Sequence, residues 1–193
     1  MNITGTPNLK PFRNYNEWEV INGLFSANVA SLNKGTFVSM LATNSGNTNV
    51  LQNANSPVTP HLGVAGNWGE APSYASVKRH EVKWKVRAAT NTDVVLGVTL
   101  RDVAESNKFG EKYAYRPKYE RDEQMIVLSG EAVPILTRGI IHVNGYVGTP
   151  IAGSGATVSG GLLVVGVYNK ATSVGKWLSS ADADDYALFK VEL

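Results

Sequence analysis

Hydrophobic residues in this chain come in short bursts, and the spacing inside each burst is that of strands. The clearest alternation runs through Val77–Arg87, where Val82, Trp84 and Val86 take turns with Lys83, Lys85 and Arg87, as in a strand with one dry and one basic face. Further apolar runs follow at Asp93–Leu100 (DVVLGVTL, broken by Gly97), Gln124–Leu128, Ala132–Leu136, Gly139–Val143 (GIIHV), Leu162–Tyr168 (LLVVGVY) and Tyr186–Leu193 (YALFKVEL). Gly, Pro, Asn or Asp punctuates each of them. Parallel sheets would need crossover helices of ten or more residues, and no such periodicity is found, so the pattern predicts an all-β fold, an antiparallel β-sandwich or β-barrel. Two short helical candidates remain. Glu17–Phe25 (EWEVINGLF), behind the cap residue Asn16, puts Val20, Ile21 and Leu24 on one face, but Gly23 weakens it and an extended arm is the alternative. Val103–Lys108 is the second. Residues 1–35 accordingly read as an N-terminal arm with a short helix, and residues 36–193 as a single β-rich domain with long loops.

Two segments interrupt the strand pattern. Asn is concentrated towards the N-terminus, with 13 of 17 copies in the first 67 residues, and Thr43–Pro60 (TNSGNTNVLQNANSPVTP) is almost wholly small, polar and turn-forming. Asn and Ser side chains compete for their own backbone and Pro blocks ladders, so residues 43–60 are expected to form a long surface loop. Loops of that length usually serve a function, which suggests a partner. The second segment, Lys108–Arg121 (KFGEKYAYRPKYER), interleaves Phe109, Tyr113, Tyr115 and Tyr119 with Lys112, Arg116, Lys118 and Arg121. Such a composition suits base stacking, but Tyr and Arg are also enriched at protein interfaces, and no nucleic-acid motif surrounds it.

Composition sharpens this picture mainly by exclusion. The 193 residues carry no Cys, which removes disulfides, cysteine-ligated metals and thiol catalysis, and leaves packing and association as sources of stability. No apolar run approaches a membrane span and the N-terminus has no apolar signal core, so a soluble protein assembled inside a cell is expected. The formal charge of +2 hides an uneven distribution: residues 78–121 hold 11 Lys and Arg against 6 acidic residues, whereas residues 122–193 hold 4 against 7. A basic middle beside an acidic C-terminal part fits a subunit whose one face docks on another subunit better than it fits a nucleic-acid binder, because the excess is modest and spread out.

The search for chemistry returns little. His61, His80 and His142 lack metal-ligand spacing and read as structural or exposed histidines. Asp182, Asp184 and Asp185 lack the glycine and distal glutamate of a calcium loop and read as a solvated turn before the last strand. The glycines of GSGATVSGG (residues 153–161) are followed by neither Lys-Ser/Thr nor a helix, and read as a series of turns. No nucleophile elbow is present. The expected class is therefore a non-enzymatic structural or binding protein with no cofactor and no metal.

Several motifs in order make the reading more specific. NYNEWEVINGLFS (Asn14–Ser26), NKGTFVSM (Asn33–Met40), DVVLGVTLRD, the turn-rich SGEAVPILTRGIIHVNGYVGTP and LLVVGVYNKATSVGKWL together resemble the head decoration, or capsid cement, proteins of tailed bacteriophages, closest to structural proteins of marine T4-like phages. The resemblance implies a protein of the virion, assembled in the host cytoplasm, that binds the capsid exterior through the major capsid protein, commonly as a trimer, and stabilises the shell. It also implies that Asn14–Ser26 touches a neighbouring subunit or the shell. Candidate interface residues are Tyr15, Trp18 and Phe25 on this segment, Trp68 in a glycine-framed loop, Lys83, Lys85 and Arg87 on the basic strand, and Tyr113, Tyr115 and Arg116 in the basic-aromatic insert. A tail or head-fibre component is the nearest alternative. A nucleic-acid module, or a carbohydrate-binding module using Trp68, Trp84 or Trp177, stands further off.

Overall fold

The computed structural model describes residues 7–11, 14–27, 29, 31–41, 84–107, 109–113, 118–128 and 130–193. The Asn-rich segment 43–60, His61, Trp68, His80, Lys83, Tyr115 and Arg116 lie outside them. Among the described residues the strands build three sheets. The largest runs, in spatial order, β1 (Asn8–Pro11), β10 (Arg138–Asn144), β15 (Ala187–Glu192), β14 (Gly175–Trp177), β12 (Gly155–Ser159), β13 (Leu162–Gly166) and β11 (Tyr146–Val147). A second runs β2 (Val20–Ile21), β9 (Ile135–Leu136), β6 (Val95–Thr99), β4 (Phe37–Met40), β5 (Trp84–Ala88) and β3 (Phe25–Ala27), and β7 (Asp102–Val103) pairs with β8 (Ile126–Val127) to form the third. The fold is all-β, as the alternation predicts.

The second sheet curls. The Val133 N–H donates to the Phe25 carbonyl at 2.8 Å and Ser26 bridges Ala132, so the β3 edge meets the chain leading into β9 and the ladder bends towards closure. Both faces of the sheet consequently carry buried apolar residues, with the polar Ser39, Arg87 and Asp93 at the β4–β5 margin. Neighbouring residues on a strand point opposite ways, so Phe37, Val98 and Leu136 pack against the first sheet while Val38, Val86 and Ile135 fill the inside of the curl with Phe25. Gly97, which interrupts the DVVLGVTL run, is where β9 crosses closely: a Cβ there would meet the Leu136 carbonyl and lie 2.5 Å from Ile135 Cγ2.

Between the sheets sits an aromatic core. Trp177 is completely buried, its ring 4.9 Å from Phe189 and 5.2 Å from Tyr146, and Phe37 meets Phe189 edge-on at 6.1 Å and 87°. Edge-to-face pairs at these separations add to the burial itself. The inward residues Ala187, Phe189 and Val191 alternate with the outward Leu188, Lys190 and Glu192 on β15, so one strand supplies both core and surface.

Local readings differ from the sequence expectations in four places. Glu17–Phe25 forms only a three-residue 3-10 turn, Glu17–Glu19; Val20 and Ile21 then pair with Leu136 and Ile135, and the ladder overrides a weak helical stripe ended by Gly23 at φ +77°. Residues 103–107, the described part of Val103–Lys108, are not helical: Val103 completes β7, and Ser106 bridges Lys112. A short helix occupies Lys118–Glu123, at the end of the basic-aromatic insert, where the sequence pattern predicts none. Residues of GSGATVSGG form β12, because Ala156 and Val158 alternate inward and Gly160–Gly161, at φ +60° and +80°, close a two-residue hairpin into β13.

Three parallel pairs, β3 with β5, β11 with β13 and β7 with β8, join the antiparallel ones. Strand β12 supplies the crossover between β11 and β13, so no crossover helix is needed there. The N-terminal segment read as an arm enters both large sheets: β1 lies on the first with Leu9 in the core, and β2 and β3 are edges of the second.

Truncation of Trp177 to Ala is expected to cost about 3–5 kcal/mol by opening a cavity at the aromatic centre. The indole Nε1 has no hydrogen-bond partner among the described residues, so Trp177→Phe loses no such bond and is expected to cost clearly less than Trp177→Ala. Urea unfolding of the two variants checks both expectations, and equal losses would contradict the second.

Candidate interaction surface

Residues 14–20 form a short, stiff feature on the surface. The Asn16 N–H donates to Glu19 Oε2 at 2.8 Å, the Glu19 N–H donates back to the Asn16 carbonyl at 3.0 Å, and the Glu19 carbonyl accepts from both the N–H and the hydroxyl of Thr137. Tyr15 anchors the other end, its hydroxyl donating to the Ile140 carbonyl at 2.7 Å and its ring lying against Gly139. Trp18 rides on this turn with 85% of its surface exposed. An indole held in water by a braced turn is a costly arrangement for an isolated chain and a ready anchor for a partner.

The other candidates behave differently. Phe25, 5% exposed, fills the curl of the second sheet with Val38, Val86 and Ile135 and has no face left for a partner. Tyr113, 6% exposed, is also turned inward, its N–H donating to the Glu105 carbonyl at 2.9 Å. Among the described residues, the exposed aromatics of the insert are Phe109 and Tyr119. Trp177 is fully buried and the half-buried Trp84 packs on the inner cluster of the curl, which removes both from sugar stacking.

The basic face of β5 is partly neutralised. Arg87 donates to Asp93 Oδ1 at 2.8 Å, and Asp93 Oδ2 accepts from the Thr90 N–H at 2.8 Å and the Ser39 hydroxyl at 3.0 Å. Lys85 is half-buried beside it. One carboxylate thus ties the loop after β5 to β4 and β5, and the Thr90 N–H, with help from Ser39 and Arg87, holds the Asp93 carboxyl down at about 2.

A cleft of ≈ 590 Å³ opens between Tyr15, Val20, Leu100 and Pro134 on one side and Arg101, Arg121 and Met125 on the other. Its cations are matched internally. Arg121, 5% exposed, bonds both Glu131 oxygens, at 3.0 and 3.2 Å, while Arg101 pairs with Asp122. Glu131 also accepts from the Leu128 N–H at 2.9 Å, so the pair fastens the short helix to the loop that follows β8. Among the described residues no group of three or more His, Cys, Asp or Glu is placed to hold a metal, and no helix is long and apolar enough to cross a membrane.

Sequence reasoning missed the outer face of the first sheet. Register places Lys176 opposite Lys190 and Arg138 opposite Glu192, all pointing away from the core. Lys190 pairs with Glu192, whose carboxyl is pulled down chiefly by that hydrogen bond and further by the charges of Lys176 and Arg138. At the far end of the same face, Asp182 accepts from the Asp184 and Tyr186 N–H groups and lies 3.4 Å from His142. These N–H bonds, led by that from Tyr186, lower its carboxyl as well, and Asp182, Asp184 and Asp185 form the turn that the sequence predicts before β15. The alternation in YALFKVEL marks Lys190 as outward, but only the register brings Lys176 and Arg138 beside it.

The Asp93 bonds carry a pH dependence. A folded value of about 2 lies below the ordinary 3.8, so this carboxylate stabilises the fold fully above that value and the stabilisation is lost as pH falls towards 2. Melting temperature measured from pH 6 to 2 is expected to fall less steeply in Asp93→Asn than in the parent across that window. Identical slopes would show that Asp93 is not the titrating group.

No curated protein and no solved structure matches the chain. One family does, described as structural cement protein (E217 gp24/Pam3 gp6), over residues 25–193, which takes in the strands from β3 to β15 and the cations of the outer face but not β1, β2 or the Trp18 turn. With that match across most of its length, in an all-β fold, the chain belongs to the phage structural cement proteins.

Proposed function

We propose that this protein decorates the outside of an assembled phage capsid, binding the major capsid protein and stabilising the shell without catalysis. The observation that carries the proposal is the family match over residues 25–193. The surface is consistent with it. Trp18 stands 85% exposed on a braced turn, and Val94, Phe109, Ile151 and Val167 each keep more than half of their surface in water. Single exposed apolar residues are ordinary, but an indole fixed in place loses little entropy on docking and buries a large area. Contacts of this kind are weak singly, and a cement protein repeats them over many copies on one shell, where they sum. Self-association as trimers at three-fold or quasi-three-fold positions belongs to the same proposal, as does assembly in the host cytoplasm.

Purified protein mixed with undecorated capsids is expected to co-sediment with them and to raise the melting temperature of the shell. Trp18→Ala should weaken binding by about 1–2 kcal/mol while leaving the melting temperature of the free protein unchanged within error, since the side chain supports nothing in its own core. Absence of co-sedimentation, with an unaltered shell transition, would remove the proposal.

A further inference from the structure

Charge on the outer face of the first sheet is separated along its strands. At one end, Lys176 and Lys190 sit directly opposite each other on β14 and β15, and Arg138 is the cross-strand neighbour of Glu192. Like charges directly opposite in a sheet are destabilising unless something compensates them. Glu192 pairs with Lys190, and its carboxyl is pulled down by Lys190, Lys176 and Arg138, so three cations share one paired carboxylate here and this end keeps a surplus of positive charge. Tyr168 extends the patch, with Lys176 Nζ 5.8 Å from its ring centre.

The opposite end carries the turn of Asp182, Asp184 and Asp185, of which Asp182 is matched by His142 and by Lys10, whose ammonium lies over the Tyr186 ring. Two of these have local tasks. Asp182 accepts the Asp184 and Tyr186 N–H groups and faces His142, and Asp185 holds a left-handed backbone at φ +61°, where Asp is tolerated better than most residues. The Asp184 carboxylate has no such task. Asp184 and Asp185 are exposed, and neither carboxylate has a cationic partner among the described residues. The strand from Ala187 to Lys190 alone spans roughly 10 Å, already beyond the screening length of about 8 Å at physiological salt. The two ends therefore do little to neutralise each other within one molecule.

We infer that the cationic patch of Arg138, Lys176 and Lys190 docks on the Asp184–Asp185 turn of a second copy of this chain. The occupant follows from charge complementarity: one protomer carries surplus cations on the outer face of the first sheet and unpaired carboxylates in the turn at its other end, and a second copy satisfies both. The contact joins two different patches, so it can build a closed ring or, if the copies face each other antiparallel, a two-fold pair in which it occurs twice. This rests on the self-association that forms part of the cement reading.

Charge reversal on each surface, alone and together, tests the inference by analytical ultracentrifugation of the full chain. Arg138→Glu with Lys176→Glu leaves the Lys190–Glu192 pair intact. Asp184→Lys with Asp185→Asn keeps Asp182 and a residue that accepts the left-handed backbone. Each pair of changes is expected to weaken self-association by about tenfold or more at low salt, and the four changes combined to restore most of it, with attraction in the parent falling as salt rises. Circular dichroism and the melting temperature of each variant confirm folding. A parent that stays monomeric, an assembly indifferent to either reversal, or a combined variant no better than the single-surface ones would overturn the inference. Loss of capsid co-sedimentation by Arg138→Glu/Lys176→Glu with unchanged self-association would also overturn it, assigning the patch to the shell and leaving the cement reading in place. Capsids that fail to bind the parent while the reversal pattern holds would overturn the cement reading alone.

Discussion

Phe37 stands where the two large sheets meet, and three backbone hydrogen bonds close around it. Its N–H donates to the Gly161 carbonyl at 2.9 Å, its carbonyl accepts from Ala89 at 2.9 Å, and the Gly161 N–H donates to the Ala89 carbonyl at 2.8 Å. This triangle pins the β12–β13 hairpin of the first sheet to β4 and the end of β5 in the second. Gly161 is required there, because a Cβ would fall 2.6 Å from Thr36 Cγ2 and the backbone stands at φ +80°. Above the triangle the Phe37 ring meets Phe189, and through it the Trp177 and Tyr146 cluster, while the next residue, Val38, points into the curl. A chain with no cysteine and very little helix among its described residues has few other ways to close an apolar surface. Its second sheet carries a core on each side, and β4, like β9, gives one residue to each.

That constraint shapes the surface. A sheet with a core on each side keeps little area for a partner beyond its β4–β5 margin, and the outer face of the first sheet and the segments that brace its edges supply the rest. Trp18 is exposed because residues 15–20 spend their hydrogen bonds on Ile140 and Thr137, which fixes the turn and leaves its indole pointing outward. The charged rows of β10, β14 and β15 follow from the same geometry, since every inward Phe189 or Val191 forces an outward Lys190 or Glu192. For a cement protein, a rigid body with its contact groups held in place limits the entropy lost on docking.

Individual residues show where sequence reasoning holds and where it stops. The strand runs from Asp93 to Leu193 coincide with strands because burial on a pleated surface is written in alternation and β-branching, both local properties. Glu17–Phe25 shows the limit. A helical stripe of three apolar residues is a weak preference, and pairing of Val20 with Leu136, more than a hundred residues away, overrides it. Arg87 and Lys190 make the same point for function. Arg87 looks available in a basic alternation but is engaged by Asp93, six residues on, whereas Lys190 lies in the part of the chain with an acidic balance and yet belongs to a cationic patch.

Sequence alone determined the class of the molecule: all-β, without sulfur chemistry, without a recognisable catalytic constellation, and bearing the ordered motifs of a capsid cement protein. The first three follow from composition, motif spacing and short-range periodicity, which survive without knowing what touches what, and the last is a resemblance of motifs in order. Only the tertiary structure decided the two-faced second sheet, the burial of Phe25, Tyr113 and Trp177, and the separation of charge on the outer face. Each of those depends on register between strands distant in the chain. Shifting a strand by one residue exchanges its inward and outward sets, so which charges share a surface is fixed by pairing and by no stretch of sequence taken alone.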